Sequence, residues 1–149
     1  MNRGIMTRAG VLNTIDSLLG SVSNPTFTAV LRGEPLLVPS TPIVSFWLAQ
    51  NEEDFTTLGD ASTTAEFTIR CYWRMPSAQD VRESLELEVW DAIASIKSAL
   101  RGDSNLSGNC TDSRPGFAST GYLDLSGITF KIMSMPFFVD IYGSETITP

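Results

Sequence analysis

Thr63 to Arg101 reads TTAEFTIRCYWRMPSAQDVRESLELEVWDAIASIKSALR, and two hydrophobic periods meet in it at Pro76. Upstream, Ala65, Phe67, Ile69, Cys71 and Trp73 alternate with Thr64, Glu66, Thr68, Arg70, Tyr72 and Arg74. That is the period of two that a strand with one buried face requires. Downstream, Val81, Leu85, Val89, Ala92, Ile93, Ile96 and Leu100 recur at spacings of three and four, which lines them along one side of a helix. The stretch predicts a long strand, a tight break and an amphipathic helix. Ser77 is the expected N-cap, since its hydroxyl can accept from the free amides of the first turn, with Asp80 three residues on at the positive end of the dipole. Acids come first along the helix (Asp80, Glu83, Glu86, Glu88, Asp91) and bases last (Lys97, Arg101), and Arg82 and Glu86 are spaced to pair on its surface.

Working outward from this block, Val11, Leu12, Ile15, Leu18 and Leu19 follow helical spacing between Thr7 and Leu19, and Gly20 is placed to end that helix with a left-handed cap. Four prolines between Pro25 and Pro42 point to edge strands or extended connections. Ile43 to Ala49 is a strand with Val44, Phe46 and Leu48 on one face, and Asn51 to Ser62 is a polar, acidic connection back into the long strand. The two strands make a β-hairpin with an extended tip. After the second helix, Gly102 to Gly121 is polar and long for a structureless loop, which marks it as a candidate partner-contact loop. Tyr122 to Leu125 and Ile128 to Met133 flank a Ser126-Gly127 turn, and Phe137, Val139 and Ile141 alternate before a polar, flexible tail at about 143–149. Pro136 is expected to split this last β region. The element order gives a single α+β domain over residues 1–149, with two helices packed on a mainly antiparallel β-sheet.

With 149 residues, 42% of them hydrophobic, the chain can bury one core without disulfide or metal staples. The excess of 17 acidic over 10 basic residues, a net charge of -7, argues against a surface built to neutralise nucleic-acid phosphates. Cys71 on the apolar side of its strand and Cys110 in a polar loop read as unrelated thiols, which fits a reducing compartment. The N-terminus has no apolar signal segment, and the longest apolar run, Phe46 to Ala49, is far too short for a bilayer.

The chain has no histidine, which removes Ser-His and Cys-His nucleophile pairs, imidazole metal ligands and the usual acid-base group near neutral pH. Asn51-Glu52-Glu53-Asp54 lacks the spaced ligands and glycine turn of a calcium loop and reads as a solvated loop tip. Glu83 with Glu86 and Glu88 with Asp91 could mimic a catalytic dyad, but helical acids off the apolar stripe are normally solvated. No phosphate-cradling or paired-cysteine pattern occurs. The residues imply no catalytic group, metal or cofactor.

One side of the sheet carries surplus apolar surface. Ile43 and Trp47 oppose Val44, Phe46 and Leu48, and Phe138 and Tyr142 oppose Phe137, Val139 and Ile141. Such surface marks a subunit interface or a second layer within the chain.

The arrangement resembles the tail terminator proteins of long-tailed bacteriophages. The likeness is carried by a short helix ending near Leu19, the strand Pro42-Ile43-Val44-Ser45-Phe46-Trp47-Leu48, an acidic connection, the strand Glu66-Phe67-Thr68-Ile69-Arg70-Cys71-Tyr72-Trp73, a Pro-Ser break into an acidic-first helix, and closing strands around Ile128 to Met133. It covers Thr7 to about Ile141. The polar insertion Gly102 to Gly121 and the segment Phe137 to Pro149 depart from it. The resemblance implies a virion structural protein of the tail and neck, assembled in the host cytoplasm. Its subunits form a ring, typically a homohexamer, that caps the tail tube protein, stops its polymerisation and presents a surface to the head-side connector or stopper. No reaction is catalysed, and DNA passes through the channel without specific binding, which an acidic ring favours. The expected interface residues are Trp47, Tyr72, Phe138 and Tyr142 on the sheet face, the polar row Glu66, Arg70 and Arg74, and Glu52, Glu53, Asp54 and Phe55 at the hairpin, with the 102–121 loop also reaching axial partners. Two other readings share the composition: another head-tail joining component, such as a stopper or adaptor, and a small carboxylate-dependent enzyme.

Overall fold

The computed structural model describes residues 6–55, 61–76, 79–143 and 147–148, with side chains described over 8–51, 63–76 and 81–141. The long strand of the sequence is β4 (Ala61–Arg74), and its hairpin partner is β3 (Ile43–Phe55). Both pair with more than each other. β4 also lies antiparallel against β7 (Ile128–Gly143) along its whole length, from Ala61 opposite Gly143 to Arg74 opposite Phe130. A short parallel strand, β2 (Ala29–Arg32), covers only Ile43 to Phe46 at the start of β3. On the far side, β5 (Asp112–Pro115) and β6 (Ser119–Leu125) share one edge of β7, completing a six-stranded, mostly antiparallel sheet. With the helices α1 (Arg8–Gly20) and α2 (Gln79–Arg101) the chain is an α+β fold. A separate pair, β1 (Met6–Thr7) and β8 (Ile147–Thr148), runs parallel. The described end of the expected flexible tail is therefore paired with β1.

The alternation read in β4 is its burial pattern. Phe67, Ile69, Cys71 and Trp73 join Val44 and Phe46 of β3, and Met133, Met135, Phe137, Val139 and Ile141 of β7, in one core. The same core takes Val11, Ile15 and Leu19 from α1 and Leu85, Val89, Ala92, Ile96 and Leu100 from α2. Burying large aliphatic side chains at about 1.5–3 kcal/mol each gives α2 more docking energy than helix propensity supplies. Val81, the first residue of the expected stripe, is 48% exposed. The Ser77 cap lies outside the described residues. Arg82 and Glu86 do not pair as their spacing suggests: Arg82 Nε donates to Pro76 O at 2.8 Å, and Glu86 Oε1 accepts from Lys131 Nζ of β7 at 3.1 Å.

Three loop expectations are corrected. Gly20 is the last residue of α1 without a left-handed backbone; the amide of Ser21 returns to Ser17 and Leu18 carbonyls, and Ser21 Oγ also donates to Leu18 O at 2.7 Å. Pro136 does not split the last β region, because Gly116 N donates to Pro136 O at 2.7 Å. Within a strand a residue's N and O face the same neighbour, so the missing N–H of Pro136 points into the gap between β5 and β6 and breaks no bond to β4. The 102–121 segment is not a free loop. Asp103 O and Oδ1 accept from the Leu106 and Ser107 amides at 3.1 and 3.0 Å, and Leu106 and Cys110 turn inward into the main core. The Ser126-Gly127 turn is present, with φ of 52° and 78°; paired positive φ values make the tight hairpin turn that joins β6 to β7.

Candidate interaction surface

The face of the sheet away from the main core divides into a closed end and a partly open one. At the closed end, Ile43, Tyr72 and Phe130 form a second core, with Tyr72 and Phe130 edge to face at 6.4 Å between ring centres. Ala29 and Leu31 of β2, Val38, and Leu123 and Leu125 of β6 cover it. This overturns the placing of Tyr72 on an exposed interface: it is fully buried within its own chain. Internal cover, one of the two readings of the surplus apolar surface, holds here.

At the other end two half-buried aromatic rings lie beneath arginines. The Arg70 guanidinium sits 5.2 Å from the centre of the Trp47 ring, and the Arg114 guanidinium 5.1 Å from that of Phe138. Both arginines are held from the side. Arg70 Nε donates to Ser134 Oγ at 2.9 Å and its Nη1 is 3.7 Å from Glu34 Oε1. Arg114 pairs with the buried carboxylate of Asp140, which also accepts from Thr64 Oγ1 at 2.8 Å. Cation–π contacts of this kind contribute about 0.5–2 kcal/mol, depending on desolvation. The surface presented is thus aromatic edge and guanidinium, fixed rather than floppy. Glu66 is half-buried between Gln50 and Phe138 in register, and Arg74 is exposed, its amide donating to Thr41 Oγ1 at 3.3 Å.

Glu52, Glu53, Asp54 and Phe55 occupy the last four positions of β3, paired with Thr64, Thr63, Ser62 and Ala61. Their side chains, and that of Tyr142, lie outside the described ones. The backbone still shows that the hairpin is a true ladder well beyond the reach of β2, after a register shift between Leu48 and Gln50. Leu48, the last residue before the shift, is 54% exposed, although it belongs to the apolar face by alternation.

Several residues at or just beneath the surface lie outside the sequence-based expectations. Arg114, Asp140 and Ser134 gave no local signal, because each matters through a partner more than twenty residues away. Leu36, Leu37, Leu87, Trp90 and Phe117 are large apolar side chains left exposed. For Leu87 and Trp90 the signal existed: they fall outside the helical stripe at a spacing of three. Burial pushes the Cys71 thiol well above its ordinary pKa, which leaves it without nucleophilic character. Among the described residues no group of three or more Cys, Asp or Glu is placed to hold a metal ion, and no helix is long and apolar enough to cross a membrane. No protein-family model matches the chain, and no curated protein matches it.

Proposed function

We propose that the chain is a virion structural subunit that caps the tail tube of a long-tailed bacteriophage, ends its polymerisation and joins the tail to the head-side connector. Copies of it form a ring, a homohexamer in this reading, around the DNA channel. The observation that carries the proposal is the β3–β4–β7 ladder, which continues past β2 to an acidic hairpin end with two arginine-covered aromatics at its base. A stiff β tongue of this kind suits axial contact with another ring, because its geometry is set by backbone pairing and not by a loop. Rigid aromatic and arginine side chains are the types enriched at protein interfaces. The net charge of -7 suits a channel through which DNA slides without sticking.

Electron microscopy of particles assembled without the chain tests this reading. Tails much longer than normal are the expected result; tails of normal length would reject a terminating role and leave a stopper or adaptor as the better assignment.

A further inference from the structure

The side of α2 turned away from the core carries Leu87 and Trp90, 64% and 73% exposed. With the exposed Ala94 four residues further on, they form one line along the helix, opposite Leu85, Val89 and Ile96. Exposed tryptophan flanked by leucine is a contact surface in search of cover. The same line begins at Glu83 and ends at Lys97 and Arg101. Among the described residues none of these three charges enters an ion pair within the chain, whereas Glu86 is neutralised by Lys131.

The charge order says what kind of surface fits. A second α2 laid antiparallel brings the acidic end of each helix against the basic end of the other, twice over, and opposes the two helix dipoles favourably. About a two-fold axis level with Ala92, positions equally far from 92 meet. Glu83 then meets Arg101, nine residues to either side, and Trp90 meets Ala94, two to either side. Large against small is the interdigitation that close helix packing needs. Leu87 meets Lys97 and lies along its aliphatic stem.

We propose that this side of α2 is a self-recognition surface on which a second copy of the chain docks antiparallel about a two-fold axis at Ala92. The inference goes beyond the ring reading and does not rest on it. A two-fold contact closes with two copies and propagates no ring, so it holds soluble chains in pairs ahead of assembly. One term opposes it: the two Asp91 carboxylates flank the axis on the same side. One helix side per copy is a small patch beside a standard stable interface of roughly 1,200–2,000 Å², so a weak pair is expected and a covalent trap is the suitable readout.

The double variant Glu83→Cys/Arg101→Cys provides that trap. Both positions are exposed, and about 27 Å of helix separates them, so they cannot bridge within one chain; the native thiols Cys71 and Cys110 are buried. Mild oxidation should give a closed dimer, with peptide mapping joining position 83 of one copy to position 101 of the other. Adding Trp90→Glu should reduce cross-linking about tenfold, whereas Asp91→Asn should raise it. No cross-link, links from 83 to 83, a ladder of higher species, or cross-linking indifferent to Trp90→Glu would overturn the proposal.

Discussion

Arg70 and Trp47 are diagonal neighbours across the β3–β4 hairpin, since Trp47 pairs with Thr68 and Arg70 with Ser45, yet the guanidinium lies over the indole at 5.2 Å. Diagonal side chains on one sheet face are within reach of each other when one is long and the other aromatic. Ser134 supplies the hydrogen bond that keeps the arginine there.

Arg70→Ala removes both contacts and should cost about 1–3 kcal/mol by denaturant titration, with a red shift of tryptophan emission as Trp47 is uncovered. Arg70→Lys should recover only part of this, because an ammonium cannot stack on the ring while bonding Ser134 from its plane. Equal stability of the alanine and arginine proteins would show that the contact is incidental.

Trp47→Glu probes assembly rather than folding. Its side chain is half-buried at the open end of the sheet, so the variant should fold with a native circular dichroism spectrum and fail to form rings, as read by light scattering after size exclusion. Rings equal to wild type would remove Trp47 from the interface.

Tyr72 makes the opposite prediction. Its hydroxyl is buried without a hydrogen-bond partner among the described residues, so Tyr72→Phe should be neutral or slightly stabilising in thermal melts, while Tyr72→Ala should cost about 3–5 kcal/mol through the cavity it leaves. Neither a stability loss in the phenylalanine variant nor a change in ring formation is expected.

At Gly116 a Cβ would stand 2.7 Å from Pro136 Cγ and 3.2 Å from Phe138 Cε2. The proline ring is part of the main chain and cannot swing aside, so Gly116→Ala should cost about 1–3 kcal/mol. A melt indistinguishable from wild type would mean that β5 and β6 can part at this point without loss.

Leu106→Ala distinguishes a folded 102–121 segment from a free one. Leu106 is fully buried against the main core and its carbonyl accepts from Thr14 Oγ1 of α1 at 3.4 Å. Truncation should cost about 2–5 kcal/mol; an exposed loop residue would cost no more than about 0.5 kcal/mol.

The contrast between Leu106 and Leu85 shows what was legible beforehand. Leu85 announces its burial through neighbours at helical spacing, and every core position of β4 does the same at spacing two. Leu106 stands alone among polar residues, and the turns around it, with Thr14 of α1, hold it inward. Tyr72 differs for a related reason: alternation gives the correct face, but the cover comes from Leu31 of β2 and from Leu123 and Leu125 of the β6–β7 hairpin, and no local pattern records that these lie to either side of it. Pro136 misled because the rule against proline in a central strand assumes an unbroken neighbour, whereas here the neighbour is interrupted opposite it. The candidate surface was legible in its aromatics, Trp47 and Phe138, and not in the arginines that cover them, since Arg114 and Phe138 meet only through strand register.

The most direct measurement of the central claim is the growth of the purified tail-tube protein that this chain is proposed to cap, followed by electron microscopy with and without the chain added. Tubes that stop growing and carry a ring of this chain at one end are the predicted result. Tubes of the same length distribution in both reactions, with no density at either end, would contradict it.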